Sequence, residues 1–149
     1  MKHFVEIYNK EKYSKHPNEN AKHELESVGL KKISDVVVGT KYRIDGDFPS
    51  PKIEKIAKDL LCDNVMQTSS VSARKIAKYN KVEVWLKESA TDVVGESVKE
   101  AITKMGIKEP QKVRVGNIYF VKGSFAKKDL ETAVKKSFVN EVVNKFSIN

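Results

Sequence analysis

The stretch Val36-Val37-Val38-Gly39 returns 77 positions later as Val113-Arg114-Val115-Gly116. The same offset aligns Phe4–Ile7 with Lys81–Val84 without a gap, and it superimposes the glycines at 29, 39 and 46 on those at 106, 116 and 123. Self-similarity at a fixed spacing indicates structural repeats. The chain of 149 residues therefore consists of two units of about 70 residues that fold alike.

Each repeat begins with a strand and a helix. Residues Val5–Tyr8 and Val82–Trp85 alternate between apolar and polar or amphipathic side chains, which is the period of a half-buried strand. Apolar residues then recur at i, i+4 and i+7 from Ala21 and again from Val98, the spacing of an amphipathic helix. The glycines at 29 and 106 predict that both helices end in the left-handed conformation.

The remainder of each repeat predicts two more strands, a helix and a closing strand. The second strand reaches Gly39 or Gly116, where we expect a bulge or tight turn before the chain doubles back. Closing strands are predicted within Val65–Val71 and Val142–Ile148. The order strand, helix, strand, strand, helix, strand is the split βαβ pattern of ferredoxin-like sheets.

We therefore predict an α+β fold with two tandem ferredoxin-like βαββαβ repeats that form an intramolecular pseudo-dimer. The first repeat is placed at residues 1–73 and the second at 79–149, with a connector at about 74–78.

One face of each predicted sheet carries no helices. Tyr8, Trp85 and Phe120 fall on this outer face, opposite the core-directed valines, and we expect them to form an interface with another sheet or with a partner. The alternative is that these aromatic side chains shield lysine stems at an open surface. Tyr42 and Tyr119 fall in the core register instead.

The residues that could carry chemistry do not assemble into an active-site pattern. His3, His16 and His23 all lie in the first repeat, and the local sequence supplies no further metal ligands at suitable spacing. Glu6 and Glu83 recur on the outer face, where we expect them to pair with a lysine on a neighbouring strand rather than to act in acid–base catalysis.

Two further features have a structural interpretation. Glu19 and Glu96 are expected in the first turn of a helix, where the dipole favours negative charge. Cys62 corresponds to Val139 in the second repeat and is expected to pack as a small apolar residue. We predict no catalytic residue, no cofactor and no metal site in this chain.

The net charge of +8 combines 28 basic and 20 acidic residues that are interspersed along the chain. This pattern favours a mixed, solvated surface over a nucleic-acid site, and only Arg43, Arg74 and Arg114 offer a guanidinium group. No apolar run of about 18 residues is present to cross a membrane. A single cysteine fits a reducing compartment, so we expect a cytoplasmic protein.

Each half resembles one family along its length, the small PurS-type subunit of phosphoribosylformylglycinamidine synthase. The resemblance lies in the strand Lys81–Trp85, in Val113–Gly116 followed by Tyr119, and in the segment Leu60–Met66. The start of the first helix keeps different fragments of the family motif in the two repeats. Family members are usually single-copy chains that dimerise, so two fused copies would replace a homodimer.

The resemblance implies a role in de novo purine biosynthesis. In this family a glutaminase subunit releases ammonia and a large synthetase subunit uses ATP to make the amidine. The small subunit is the non-catalytic adaptor between these two partners. The alternatives are a basic RNA-binding module or a small-ligand regulatory module on a duplicated ferredoxin-like fold, and further self-association stays open.

Overall fold

The structure is a computed structural model that describes residues 1–149. Its strands are β1 (Lys2–Asn9), β2 (Ile33–Asp45), β3 (Gln67–Ser70), β4 (Asn80–Leu86), β5 (Lys112–Gly123) and β6 (Asn144–Ile148). Its helices are α1 (Glu11–Ser27), α2 (Ser50–Ile56, continued by a π-helical turn over Ala57–Leu61), α3 (Val93–Lys104) and α4 (Lys127–Ser137). No helix has the length and apolar character needed to cross a membrane.

All strands belong to one antiparallel sheet in the order β3-β1-β2-β5-β4-β6. The first repeat supplies three neighbouring strands and the second supplies the other three, and the long strands β2 and β5 join them. At the centre of the β2–β5 ladder Thr40 pairs with Asn117, its equivalent 77 positions later. A pseudo-two-fold axis therefore passes between these residues. The predicted α+β fold class with two repeats is confirmed, and the repeats lie side by side in one sheet rather than as two sheets packed face to face.

The prediction of a turn at Gly39 and Gly116 is wrong. Each glycine lies inside one continuous strand, because β2 runs from Ile33 to Asp45 and β5 from Lys112 to Gly123. The even-numbered residues from position 36 to position 44 keep facing the helices, so the alternation does not change phase at Gly39. The two middle strands that the sequence predicted for each repeat are one long strand.

Two apolar cores lie between the sheet and the helices, and each contains residues from both repeats. In one core Ile53 of α2 packs with Ile102 of α3, and in the other Leu130 of α4 packs with Leu25 of α1. Leu25 and Ile102 are equivalent residues of the two repeats, and so are Ile53 and Leu130. Each core is therefore completed by a helix of the opposite repeat. Cys62 is buried in the first of these cores, as predicted.

The ends of the first helices in both repeats agree with the sequence. Gly29 and Gly106 have φ values of 103° and 81°, in the left-handed region. The N–H of Leu30 donates to the carbonyl of Leu25 at 3.2 Å, which closes α1 with a hydrogen bond and an apolar contact.

The beginnings of these helices differ. Helix α3 starts after Asp92, and Glu96 lies in its first turn as predicted. Helix α1 already starts at Glu11 and contains Pro17, so Glu19 lies well inside it and the prediction for Glu19 is wrong. Proline inside a helix removes one backbone hydrogen bond, and α1 continues through Pro17 at this cost.

Candidate functional site

The outer face of the sheet, which carries no helices, presents the same aromatic arrangement on both sides of the pseudo-axis. The ring of Tyr8 lies against Gly39, where an added Cβ would be 2.4 Å from Tyr8 Cε1. The ring of Trp85 lies against Gly116, where an added Cβ would be 2.6 Å from Trp85 Cδ2. The two glycines are therefore needed for the close approach of an aromatic ring to the backbone.

Each aromatic side chain donates a hydrogen bond to a glutamate two residues before it. Tyr8 Oη donates to Glu6 Oε1 at 2.6 Å, and Trp85 Nε1 donates to Glu83 Oε1 at 3.2 Å. Because the two pairs are equivalent under the 77-residue repeat, the pseudo-symmetry of the backbone extends to these side chains.

Two lysines join these glutamates across the pseudo-axis. Lys81 Nζ is 2.7 Å from Glu6 Oε2 and 3.7 Å from Glu83 Oε2, and Lys41 Nζ is 3.3 Å and 3.0 Å from the same two atoms. The two glutamates are equivalent positions of the repeat, but the two lysines are not. The counterpart of Lys81 is Phe4, and the counterpart of Lys41 is Ile118. The predicted pairing with a lysine on a neighbouring strand is confirmed for Glu6, which lies opposite Lys41 of β2. It is wrong in its placement for Glu83, whose lysines lie on its own strand β4 and on β2, which is not adjacent to β4.

The ionisation of this cluster follows from its contacts. Burial of Glu6 opposes ionisation, but hydrogen bonds from Lys81, Tyr8 and the Arg74 amide outweigh this effect and hold the pKa of Glu6 below its ordinary value. Burial, and then the hydrogen bond to Glu6, raises the pKa of Tyr8 far above its ordinary value. At neutral pH Glu6 is therefore an acceptor and Tyr8 a donor, as their hydrogen bond requires.

The connector between the repeats covers one half of the outer face. Its Arg74 N–H donates to Glu6 Oε1 at 3.0 Å, its Arg74 carbonyl accepts from Lys81 Nζ at 3.0 Å, and its guanidinium lies 4.7 Å above the Tyr8 ring. Further along, Ile76 and Tyr79 pack on Phe120. We call this region, centred on Tyr8 and Phe120, the covered half.

The pseudo-symmetric region, centred on Trp85 and Arg43, is not crossed by the connector, and we call it the open half. It contains a groove of about 250 Å³. The groove is lined by Lys2, Phe4, Lys41, Arg43, Glu83, Trp85, Leu86, Glu88, Arg114 and Lys145. Five cationic side chains thus face two acidic ones.

Several of these charges also hold the local structure. Arg43 donates two hydrogen bonds to Asp45 at 3.0 Å and one to Glu88 at 2.7 Å. Hydrogen bonds from Arg43 and then from Lys112 lower the pKa of Glu88 to about 2. The Arg114 guanidinium binds the carbonyls of residues 86, 87 and 90 and so fixes the turn after β4.

The structure places the three predicted interface residues on the outer face, in two environments. Tyr8 and Phe120 are 4% and 1% exposed because the connector of the same chain covers them. Trp85 is only partly buried and lines the open groove. Contact of these residues with a partner stays a prediction.

Lys41, Lys81 and the two ring-contacting glycines were missed as parts of this region. A signal was present for the glycines, because Gly39 and Gly116 recur at the 77-residue offset, as Tyr8 and Trp85 do. The lysines gave no signal, since neither is repeated. Tyr42 and Tyr119 pack in the cores as predicted, with Tyr119 stacked on Phe138 at 3.9 Å.

The histidines contact residues of the first repeat. His3 Nε2 lies 3.1 Å from the carbonyl of Gly46, while His16 and His23 contact Asn20 and Glu26 on the surface of α1. No three histidine, cysteine, aspartate or glutamate side chains are placed to share a metal ion.

Comparison with known proteins agrees with the resemblance for the second half of the chain. Residues 79–149 match the family model PurS, described as phosphoribosylformylglycinamidine (FGAM) synthase. No curated protein matches the chain. The match spans β4 to β6 with the helices between them, which is the complete second repeat. The second repeat, residues 79–149, is therefore similar to the PurS family, and this family implies a role in FGAM synthase of purine biosynthesis.

Proposed function

We propose that the chain is a non-catalytic adaptor subunit of the FGAM synthase complex, in which it bridges the glutaminase subunit and the ATP-dependent synthetase subunit. In this proposal residues 1–73 and 79–149 are two PurS-like repeats, and the fused pair takes the place of a dimer of separate subunits. A cytoplasmic location follows from the pathway.

The observation that carries the proposal is the PurS match of the second repeat. Two features support its extension to residues 1–73. The central ladder pairs Thr40 with Asn117, which are equivalent positions. The two cores are also built from equivalent residues with the repeats exchanged. Both features are expected of a subunit pair whose members have the same fold.

A non-catalytic role is supported by the use made of the repeated carboxylates. Glu6 and Glu83 accept hydrogen bonds from Tyr8, Trp85 and the two bridging lysines, and thereby hold the two repeats together. A general acid or base needs instead a position within reach of a substrate proton. Glu6, at 1% exposure, has no such access.

Reconstitution with the cognate synthetase and glutaminase subunits tests this function. The three proteins should elute together, and formation of the amidine with glutamine as nitrogen donor should require the chain. Ammonium as donor provides the control, because it bypasses the glutaminase and should reduce the dependence on the adaptor. If omission of the chain changes neither assembly nor the glutamine-dependent rate, the proposed function is wrong.

The two alternatives receive less support from the geometry. An RNA-binding module would use exposed aromatic side chains to stack bases. Tyr8 and Phe120 are covered by the connector, and Tyr42 and Tyr119 belong to the cores. No specific contact favours a small-ligand regulatory module.

A further inference from the structure

The covered half shows how the outer face receives an extended segment of chain. The Arg74 N–H binds Glu6 Oε1, so that this oxygen accepts from both the connector and Tyr8. In the open half the equivalent atom, Glu83 Oε1, accepts only from Trp85. The side chain of Glu83 is 14% exposed and that of Glu6 is 1% exposed. The pseudo-symmetric position therefore retains an acceptor that a second segment can use.

The side chains around these two positions differ in charge. Ile118, Phe120 and Val37 lie beneath the connector, and their equivalents in the open half are Lys41, Arg43 and Arg114. Apolar residues of the connector suit the first set. In a segment bound to the open half, acidic residues at the corresponding positions would lie near Lys41, Arg43 and Arg114. Opposite charges across an interface favour association.

Exposed groups at the groove add to this charge. Lys2 and Lys145 line the groove, are exposed and take part in none of the ion pairs of the chain. Phe4, 41% exposed, offers an apolar surface beside them. Exposed cations next to partly buried aromatic rings fit a segment that carries both acidic and apolar groups.

We propose that the open half is a docking site for an extended acidic segment of a partner polypeptide, bound across Trp85 and Glu83 as the connector is bound across Tyr8 and Glu6. This rests on the proposed function only in taking the partner to be a subunit of the same complex. A backbone N–H of the segment donates to Glu83, and its carboxylates lie beside Lys2 and Lys145.

A peptide titration tests the surface directly, because Trp85 is the sole tryptophan and reports on the groove. The probe is a nine-residue peptide with blocked ends and the sequence of Val71–Tyr79, in which glutamate replaces the residues equivalent to Lys75, Ile76, Lys78 and Tyr79, so that one arginine and four glutamates give a net charge of −3. The control is the peptide with the unchanged connector sequence. We expect the acidic peptide to change the Trp85 fluorescence in a saturable, salt-sensitive way, with at least about tenfold weaker binding by the control.

Charge reversal tests the position of the site. Lys2→Glu together with Lys145→Glu should weaken binding of the acidic peptide about tenfold. The matched control is Lys128→Glu together with Lys136→Glu, two exposed lysines of α4 on the helix side of the sheet, and it should bind as the unaltered chain does. The inference is overturned if the acidic peptide leaves Trp85 unchanged or if both variants respond alike. It is also overturned if a single-stranded RNA binds at Trp85 while the peptide does not, or if the chain buries Trp85 by associating with itself.

Reconstitution with the two variants separates this inference from the proposed function. Weaker assembly with Lys2→Glu/Lys145→Glu than with Lys128→Glu/Lys136→Glu supports the docking site. Equal assembly of both variants keeps the adaptor function and contradicts the docking site. If even the unaltered chain fails to assemble, the adaptor function fails, and the peptide titration alone decides whether the open half takes an acidic segment.

Discussion

The helix-covered face and the outer face of the sheet follow the 77-residue repeat to different degrees. In the cores, equivalent residues occupy equivalent buried positions. Leu25 and Ile102, for example, are both fully buried. On the outer face the glutamates and aromatic rings are repeated, but Lys41 corresponds to Ile118 and Arg43 to Phe120. The comparison shows that the repeated core determines the fold, while divergence on the outer face gives its two halves different surfaces.

The largest expected effect comes from truncation in the cores. Leu25→Ala and Ile102→Ala should each lower the free energy of unfolding by about 2–5 kcal/mol, because each leaves a cavity at a fully buried position. The two losses should be similar, since the positions are equivalent. Urea denaturation followed by circular dichroism measures both. Because each core contains both repeats, a single transition is expected, and two separate transitions would contradict the shared cores.

On the outer face equivalent substitutions should have unequal effects. Glu6→Gln removes the charge that Lys81 and Lys41 face at a buried site and should cost about 2 kcal/mol of stability. Glu83→Gln acts at a more accessible site and should cost about 1 kcal/mol or less. Urea midpoints of the two variants give the comparison. Equal losses would show that the covered and open halves do not differ as described.

The Glu6 carboxylate should also make the stability of the chain depend on pH. The pKa of Glu6 is lowered on folding, so its contribution to stability is complete above the ordinary value of 4.5 and is lost as the pH falls through the lower, folded pKa. The stability difference between the unaltered chain and Glu6→Gln should therefore shrink as the pH falls below 4.5. Denaturant midpoints across this range measure it, and a difference that grows as the pH falls has the wrong sign.

The ring-contacting glycines should show a second pair of unequal effects. Gly39→Ala should cost about 1–3 kcal/mol, because Tyr8 is held beneath the connector and cannot move away from the new methyl group. Gly116→Ala should cost less, since Trp85 borders an open groove into which it can shift. A change in Trp85 fluorescence should accompany the second variant alone. A larger loss for Gly116→Ala than for Gly39→Ala would contradict the comparison of the two halves.

Periodicity in the sequence was sufficient to predict the inner face and the equivalence of the repeats. Alternation over Val5–Tyr8 separates core from outer residues, and Gly29 identifies a helix end through a conformation that few other residues adopt. These signals are local, and the 77-residue offset carries them to the second repeat. The Glu6 pairing with lysine was predicted as a type of contact, without its partners.

The remaining features depend on contacts between residues far apart in the chain. Whether the repeats join by strand edges or by sheet faces is decided by the β2–β5 ladder, and a one-sided sheet permits both. The position of the connector on the sheet depends on the hydrogen bond from the Arg74 N–H to Glu6, a residue 68 positions away in the chain. Glu19 led to the wrong start for α1, because an acidic residue is favoured in the first turn of a helix but is not confined to it.

Cross-linking at the pseudo-axis tests the central claim that the two repeats of one chain pair through β2 and β5. Opposed residues of an antiparallel ladder have Cα atoms about 4.5–5.5 Å apart, within the range of a disulfide. Thr40→Cys with Asn117→Cys, in a Cys62→Ala background, should therefore form a disulfide within one chain on mild oxidation, so that the protein stays monomeric under denaturing, non-reducing conditions. Covalent dimers, or two thiols that stay free, would contradict the intramolecular pseudo-dimer.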